Sequence, residues 1–319
     1  GLSGLHAAQV LKQVVPRVVV VEAAGAIGGR VQQARGLVPW PVELGPEFIH
    51  GDENSRLTEL IAKWGWTTRE LEWPDKYYFA NSKTSCTKDD ESEDVKAVHD
   101  LFDSVEDLEE EHVPFSEAMK KSGANEQMVE LAEVCYANDF GTSLNKLGVT
   151  EMKEEKRHWK YGPKYLLLDR TLGKVTEKLA TGLEIWTNWQ VKRIDYDLEA
   201  NGGCTLVNQS GQTLQCDAAI VTVPLTILQD GDIEFCPPLP AEKTGAISRV
   251  GMSTAVKVLL VFKSRFWPET FWDACCPFGF LPEIWATEYP TQETIYLQSE
   301  PEGKAVIVGF VAGDRAKAI

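Results

Sequence analysis

The chain has 319 residues, with 32 Lys and Arg against 48 Asp and Glu, a formal net charge of −16. At ~100–200 residues per domain that length allows two or three domains. The acidic balance excludes DNA or RNA as a partner, because phosphate binding needs a cationic face; no apolar run approaches the ~18–20 residues that span a bilayer. Residues 89–112 hold twelve acids and one lysine, so most of the charge is one local feature, read as a solvated face or an insertion. The seven cysteines are scattered without a Cys-x-x-Cys and the five histidines show no ligand spacing. No metal site or disulfide framework is therefore signalled, and a reducing compartment is expected.

In chain order, Gly1–Leu11 opens with two glycines three apart and continues in good helix formers, with Pro16 at the exit. Val18–Glu22 is a β-branched run, the pattern of a parallel strand buried on both faces. Residues 36–51 are a Gly/Pro-rich loop, 54–66 a helix and 76–80 a short strand. The spacing over 89–135 predicts two helices broken near Pro114. Residues 164–180 carry Leu167, Leu168, Leu172, Val175 and Leu179 at helical spacing. Strands are expected at 189–196 and 205–208, joined by a hairpin turn at Ala200–Gly203. A second buried strand is expected at 218–224, a helix at 241–249, and strands at 255–262, 294–297 and 305–310.

Gly-x-x-Gly at a helix start is the tail of a dinucleotide fingerprint. Glycine lets the backbone approach a pyrophosphate, and the helix N-terminus offers free N–H groups. Glu22 ends the valine strand 18 residues after Gly4, where an acid receives the ribose hydroxyls and disfavours a 2′-phosphate. Lys257 is a lone charge in the apolar run Ala255–Phe262. It is either the snorkelling lysine of an edge strand or a functional lysine whose pKa burial lowers.

Glu22-Ala followed by Gly28-Gly29-Arg30 resembles the second flavin-binding motif of the FAD-dependent amine oxidase family. Glu43–Gly51 (ELGPEFIHG) resembles its loop beside the flavin ring, in the His-Gly form of polyamine oxidases. Val221–Leu225, Pro237–Pro240, Gly251–Phe262 with Phe266-Trp267, and Gly309–Asp314 resemble its later segments in order. The resemblance implies an α/β fold with a Rossmann-type FAD-binding domain and a second, substrate-binding domain of mixed sheet plus helices. We expect residues 1–75 and 162–235 in the first domain and 76–161 and 236–319 in the second. The family's first strand and its C-terminal FAD-binding segment are absent from this chain, which reads as a fragment.

By resemblance, the FAD-binding positions are Gly1, Gly4, Glu22, Gly28, Gly29, Arg30, Gly45, Glu47, Phe48 and Val191, the last through its main chain. His50 and Glu47 match substrate-side positions, and Lys257 matches the catalytic lysine that holds a water beside the flavin. Phe48 stands where polyamine oxidases often have Trp. Cys275 and Cys276 read as inert buried thiols. The implied activity is oxidation of a small cationic polyamine, such as spermine or an N-acetyl derivative, with O2 regenerating FAD and yielding hydrogen peroxide. A histone-lysine demethylase, a monoamine or L-amino-acid oxidase, and a non-catalytic relic stay open. The location expected is intracellular, cytoplasmic or peroxisomal; the oligomeric state is not legible.

Overall fold

The computed structural model describes residues 1–87, 89–90, 92–196, 203–287 and 304–319. The chain divides into two compact units. The first comprises residues 1–34, 43–47 and 171–252, the second 35–42, 48–170 and 253–319.

In the first unit the helix Leu2–Leu11 buries Leu5 and Ala8. It packs on the helix Gly173–Ala180, and Gln9 Nε2 donates to the Leu179 carbonyl at 2.7 Å. Strand Val19–Val21 runs parallel to Glu184–Trp186, with Val20 opposite Ile185. These two strands form a sheet of their own, and the valines stay half-buried rather than buried on both faces. A four-stranded sheet follows in the order Thr213–Cys216, Cys204–Asn208, Val191–Tyr196, Glu234–Cys236. Trp189, Ile194, Leu206 and Ile233 form its core. Residues 218–224 differ from expectation. They form no strand, and Ile220, Val221 and Val223 are exposed. An apolar run becomes a buried strand only where a neighbouring ladder takes its N–H and C=O groups.

In the second unit a six-stranded sheet runs in the order Ala255–Phe262, Ala305–Ala312, Glu283–Ala286, Asp273–Cys275, Tyr77–Phe79, Thr84–Cys86. A three-stranded sheet places Tyr165–Leu168 between Phe48–His50 and Thr68–Leu71. Residues 164–180 therefore are not one helix. Leu166 and Leu168 sit in a strand with partners on both sides, and the helix begins only at Gly173. Backbone pairing overrides the helical spacing of those leucines. The same sheet draws residues 48–75 and 162–170 into the second unit, which also takes 35–42, where the expected boundaries put all of these in the first; residues 236–252 fall in the first.

The longer described helices of this unit include Arg56–Lys63, while Glu93–Asp103, Phe115–Lys121, Glu126–Ala132 and Val149–His158 pack around a core of Tyr77, Phe115, Met119, Leu131 and Val134. Within the acidic stretch the helix Glu93–Asp103 turns Val95 and Val98 inward. Gly123 separates the two helices of residues 115–132, giving three helices where two were expected over 89–135. The expected turn at Ala200–Gly203 lies, except for Gly203, outside the described residues, as does the strand at 294–297. Among the described residues no helix is long and apolar enough to cross a membrane.

Candidate active site

The first unit carries nine of the expected site residues: Gly1, Gly4, Glu22, Gly28, Gly29, Arg30, Gly45, Glu47 and Val191. Space is tight at several of these glycines. A Cβ on Gly4 would stand 2.8 Å from Thr222 Oγ1, and one on Gly29 would stand 3.1 Å from Gly1 Cα. Gly28 adopts φ +121°, and a Cβ there would lie 2.7 Å from the Val31 carbonyl. Glu22, half-buried at the strand end, accepts the Ala24 N–H at 3.0 Å. Its carbonyl accepts the Trp189 N–H at 2.9 Å, so the Glu22 turn is tied to the segment that leads into Val191. The Val191 side chain packs on the local core, and Val191 pairs with Asn208 on the adjacent strand.

Gly45 holds the second strand of this cradle. Leu44 N–H donates to the Gln32 carbonyl at 2.8 Å. A Cβ on Gly45 would stand 2.1 Å from the Arg30 carbonyl, backbone that cannot swing aside. Gly45→Ala is accordingly expected to cost about 1–3 kcal/mol through forced separation of the two segments. Denaturant unfolding of the variant checks this, and an unchanged midpoint would remove Gly45 from the argument.

Phe48, His50 and Lys257 lie in the second unit. Lys257 sits on the Ala255–Phe262 strand at the edge of the six-stranded sheet and is half-buried. Its Nζ lies 5.0 Å from the centroid of the Trp285 ring. Register explains the approach. Phe310 is the partner of both Lys257 and Glu283, so all three share a face, and Trp285 lies two residues beyond Glu283 on that face. Phe48 meets Trp285 edge-on at 5.4 Å and Trp272 at 5.9 Å.

A second group adjoins these aromatics. His50 and Tyr165 are register partners, with ring centroids 4.7 Å apart. Trp73 stacks on Tyr165 at 5.2 Å and its Nε1 donates to Glu283 Oε1 at 2.8 Å. Asn138 Nδ2 donates to Glu283 Oε2 at 3.3 Å, and Tyr165 OH donates to Asp139 Oδ2 at 3.3 Å. Asn138 and Asp139 directly follow the π-helical turn Glu133–Ala137, whose extra residue per turn aims them at this group.

Burial pushes the Glu283 carboxyl up to about 7, helped by the nearby Asp139. Trp73, Asn138 and Lys257 pull it back. Asp139 keeps exposed surface, yet protein packs densely around it. That crowding raises its carboxyl above the usual range, against the pull of His50. Burial likewise raises the Tyr165 phenol, which keeps it a hydrogen-bond donor. The unit thus gathers aromatic rings, one ammonium and two carboxyl groups in one neighbourhood.

Sequence reasoning singled out Lys257 and His50 but missed Trp285, Glu283, Asp139, Tyr165 and Trp73. One signal was available. Glu283 is an acid two residues before a Trp in a short apolar strand, so both project from one face. Cys275 and Cys276 are buried, and burial pushes the Cys276 thiol up to about 12, as befits inert thiols.

Solved structures identify the class of fold. Cyclohexylamine oxidase from Brevibacterium oxydans superposes with a TM-score of 0.75 at 18 % identity, covering 100 % of this chain and 75 % of that one. Putrescine oxidase bound to putrescine superposes at 0.76 and 17 %, with the same coverage. The fold is that of the amine oxidases. The model of the family described as flavin containing amine oxidoreductase matches residues 2–319, and the chain belongs to that family. Polyamine oxidase 4 of Oryza sativa is 26 % identical over 84 % of this chain, and lysine-specific histone demethylase 1B of Mus musculus is 28 % identical over the same share. The chain spans 59 % of the rice protein and 34 % of the mouse protein.

The cofactor is FAD. The first unit fits it. Its glycine cradle would be filled by any Cβ, the helix start at Leu2 has no side-chain cap, and Glu22 closes the strand end with a carboxylate.

Proposed function

We propose that the protein oxidises a cationic polyamine. The observation that carries this reading is Lys257 Nζ at 5.0 Å over Trp285, in a unit that also sets Asp139 and Glu283 among aromatic rings. When bound, FAD supplies the hydride acceptor for the carbon next to the reacting nitrogen. The first unit's residues would hold it: Gly1, Gly4, Gly28 and Gly29 by close backbone approach, Arg30 at phosphate, Glu22 at ribose, Val191 through its main chain, and Gly45 and Glu47 through the backbone.

In the second unit the rings of Phe48 and Trp285 exclude water from the amine. The reacting nitrogen must be neutral to release its α-hydrogen, and Lys257, through a held water, manages the proton it gives up. Asp139 holds the distal ammonium, with the His50 ring beside it on Tyr165. The substrate imine then hydrolyses to an aldehyde and a shorter amine, and O2 carries the electrons away as hydrogen peroxide.

The test is the visible spectrum of the FAD-loaded protein before and after anaerobic spermine. Bleaching, with peroxide released on admitting air, supports the reading. Bleaching only by a methyl-lysine histone peptide would move the assignment to the demethylases, and no bleaching by any amine would overturn it.

Asp139→Asn is the companion prediction. Loss of a charge-assisted contact of about 1.5–3 kcal/mol should raise the KM for spermine about tenfold or more. A monoamine lacking the distal ammonium should be almost unaffected. Equal losses for both amines would remove Asp139 from substrate binding.

A further inference from the structure

Three of the seven cysteines meet in the first unit, at one end of its four-stranded sheet. Cys204 and Cys216 are register partners on adjacent antiparallel strands. Cys236 lies on the far strand, opposite Asp195. The three residues border one surface depression with Asp195, Tyr196 and Asp217, and register puts Cys236 on the sheet face opposite the other two.

The first two are placed to bond. Directly opposed residues in an antiparallel ladder have Cα atoms about 4.5–5.5 Å apart, inside the roughly 4.4–6.8 Å range that a disulfide spans. Their side chains leave the same face. The sulfurs are 3.1 Å apart, so about 1 Å of closure reaches a bond of ~2.05 Å. Both residues are half-buried, so small oxidants reach them. Cys135 and Cys275 also interact, but both are buried in the second unit's core and offer no such access.

We propose that Cys204 and Cys216 are a redox modification site, a dithiol that a peroxide converts to a reversible disulfide. The Cys204 sulfur attacks one peroxide oxygen and the O–O bond breaks. The departing oxygen leaves as water, and Cys204 becomes a sulfenic acid. The Cys216 sulfur then attacks the Cys204 sulfur. The S–S bond forms, the S–O bond breaks, and a second water leaves with the Cys216 proton. Two thiols and one hydrogen peroxide give one disulfide and two waters, the sulfurs losing the two electrons that the peroxide gains. Burial and the contact with Cys204 push the Cys216 thiol up to about 12. Cys216 must shed its proton as it attacks, and the 3.1 Å separation of the sulfurs, not its acidity, places it for that step. Hydrogen peroxide would also be the product of the amine oxidation proposed above. The dithiol rests on the sheet register alone and stands or falls separately.

The test uses the full chain, reduced, exposed to added hydrogen peroxide, alkylated and digested for peptide mass spectrometry. The expected result is a Cys204–Cys216 cross-linked peptide, with two thiols lost and both restored by dithiothreitol. Cys204→Ser and Cys216→Ser should each abolish that link, and Cys236→Ser should leave it intact. Separate recovery of Cys204 and Cys216 as alkylated or over-oxidised residues would overturn the proposal, as would a link to Cys236 or to a second copy of the chain. The wild-type peptide map decides even if a serine variant fails to fold.

Discussion

Lys257→Met should slow amine-driven bleaching of the bound flavin by about 10²–10⁴-fold at saturating amine, the usual contribution of a positioned proton-transfer group. Methionine keeps the unbranched stem that packs toward Trp285 and removes only the ammonium. The lysine is half-buried on a sheet edge, so the fold tolerates the change. The loss includes a cation–π contact at 5.0 Å, worth about 0.5–2 kcal/mol. A second consequence follows at Glu283. Lys257 pulls that carboxyl down, so its removal raises the Glu283 pKa further above about 7. The measurement is stopped-flow flavin reduction across pH 6–9 beside a thermal melt. A wild-type reduction rate in the variant would end the catalytic assignment of Lys257, and a collapsed melt would assign it to the fold instead.

Raising the pH from 6 to 9 should destabilise the second unit by several kcal/mol. Asp273 is fully buried and its carboxyl is pushed up to about 8 by that burial, with Glu283 and Asp75 adding to the shift. Glu283 is raised to about 7. Unfolded, these groups titrate near ~3.9 and ~4.3. Between those values and the folded ones, the native state binds more protons than the unfolded state. Stability therefore falls as pH rises, from its full value below about 4 to a plateau above about 8. At about 1.4 kcal/mol per pKa unit the two groups together reach several kcal/mol.

Asp273→Asn keeps an oxygen for the Asp75 N–H, which Asp273 Oδ1 accepts at 2.6 Å, and it cannot ionise. The variant should match the wild type near pH 5 and exceed it near pH 9, with a flatter dependence of Tm on pH. Chemical denaturation at four pH values checks this. A flat wild-type profile, or an equally steep one in the variant, would contradict the burial argument.

The elements that were legible in the sequence are those whose signal is local. The helix Leu2–Leu11, the valine strand and Glu22 follow from composition and order, because glycine, β-branched runs and a terminal acid each act within a few residues. The strand Ala255–Phe262 has the expected bounds, and Lys257 stood out as its one charge. Asp139 and Glu283 look in sequence like any other of 48 acids. Their character arises from distant partners: Trp73 and Asn138 for Glu283, Tyr165 for Asp139. The misread segments share that cause. Leu166 and Leu168 entered a strand because two other strands flank them, and residues 218–224 stayed unpaired because no ladder reaches them among the described residues.

By itself, then, the sequence determined the locally signalled elements, the glycine cradle with its acid, and the family resemblance. All three rest on backbone sterics and short-range spacing. Only the tertiary structure decided which charges are buried, that an indole lies under Lys257, and that Cys204 faces Cys216. Strand register couples residues far apart in the chain, and burial sets the dielectric in which their charges act.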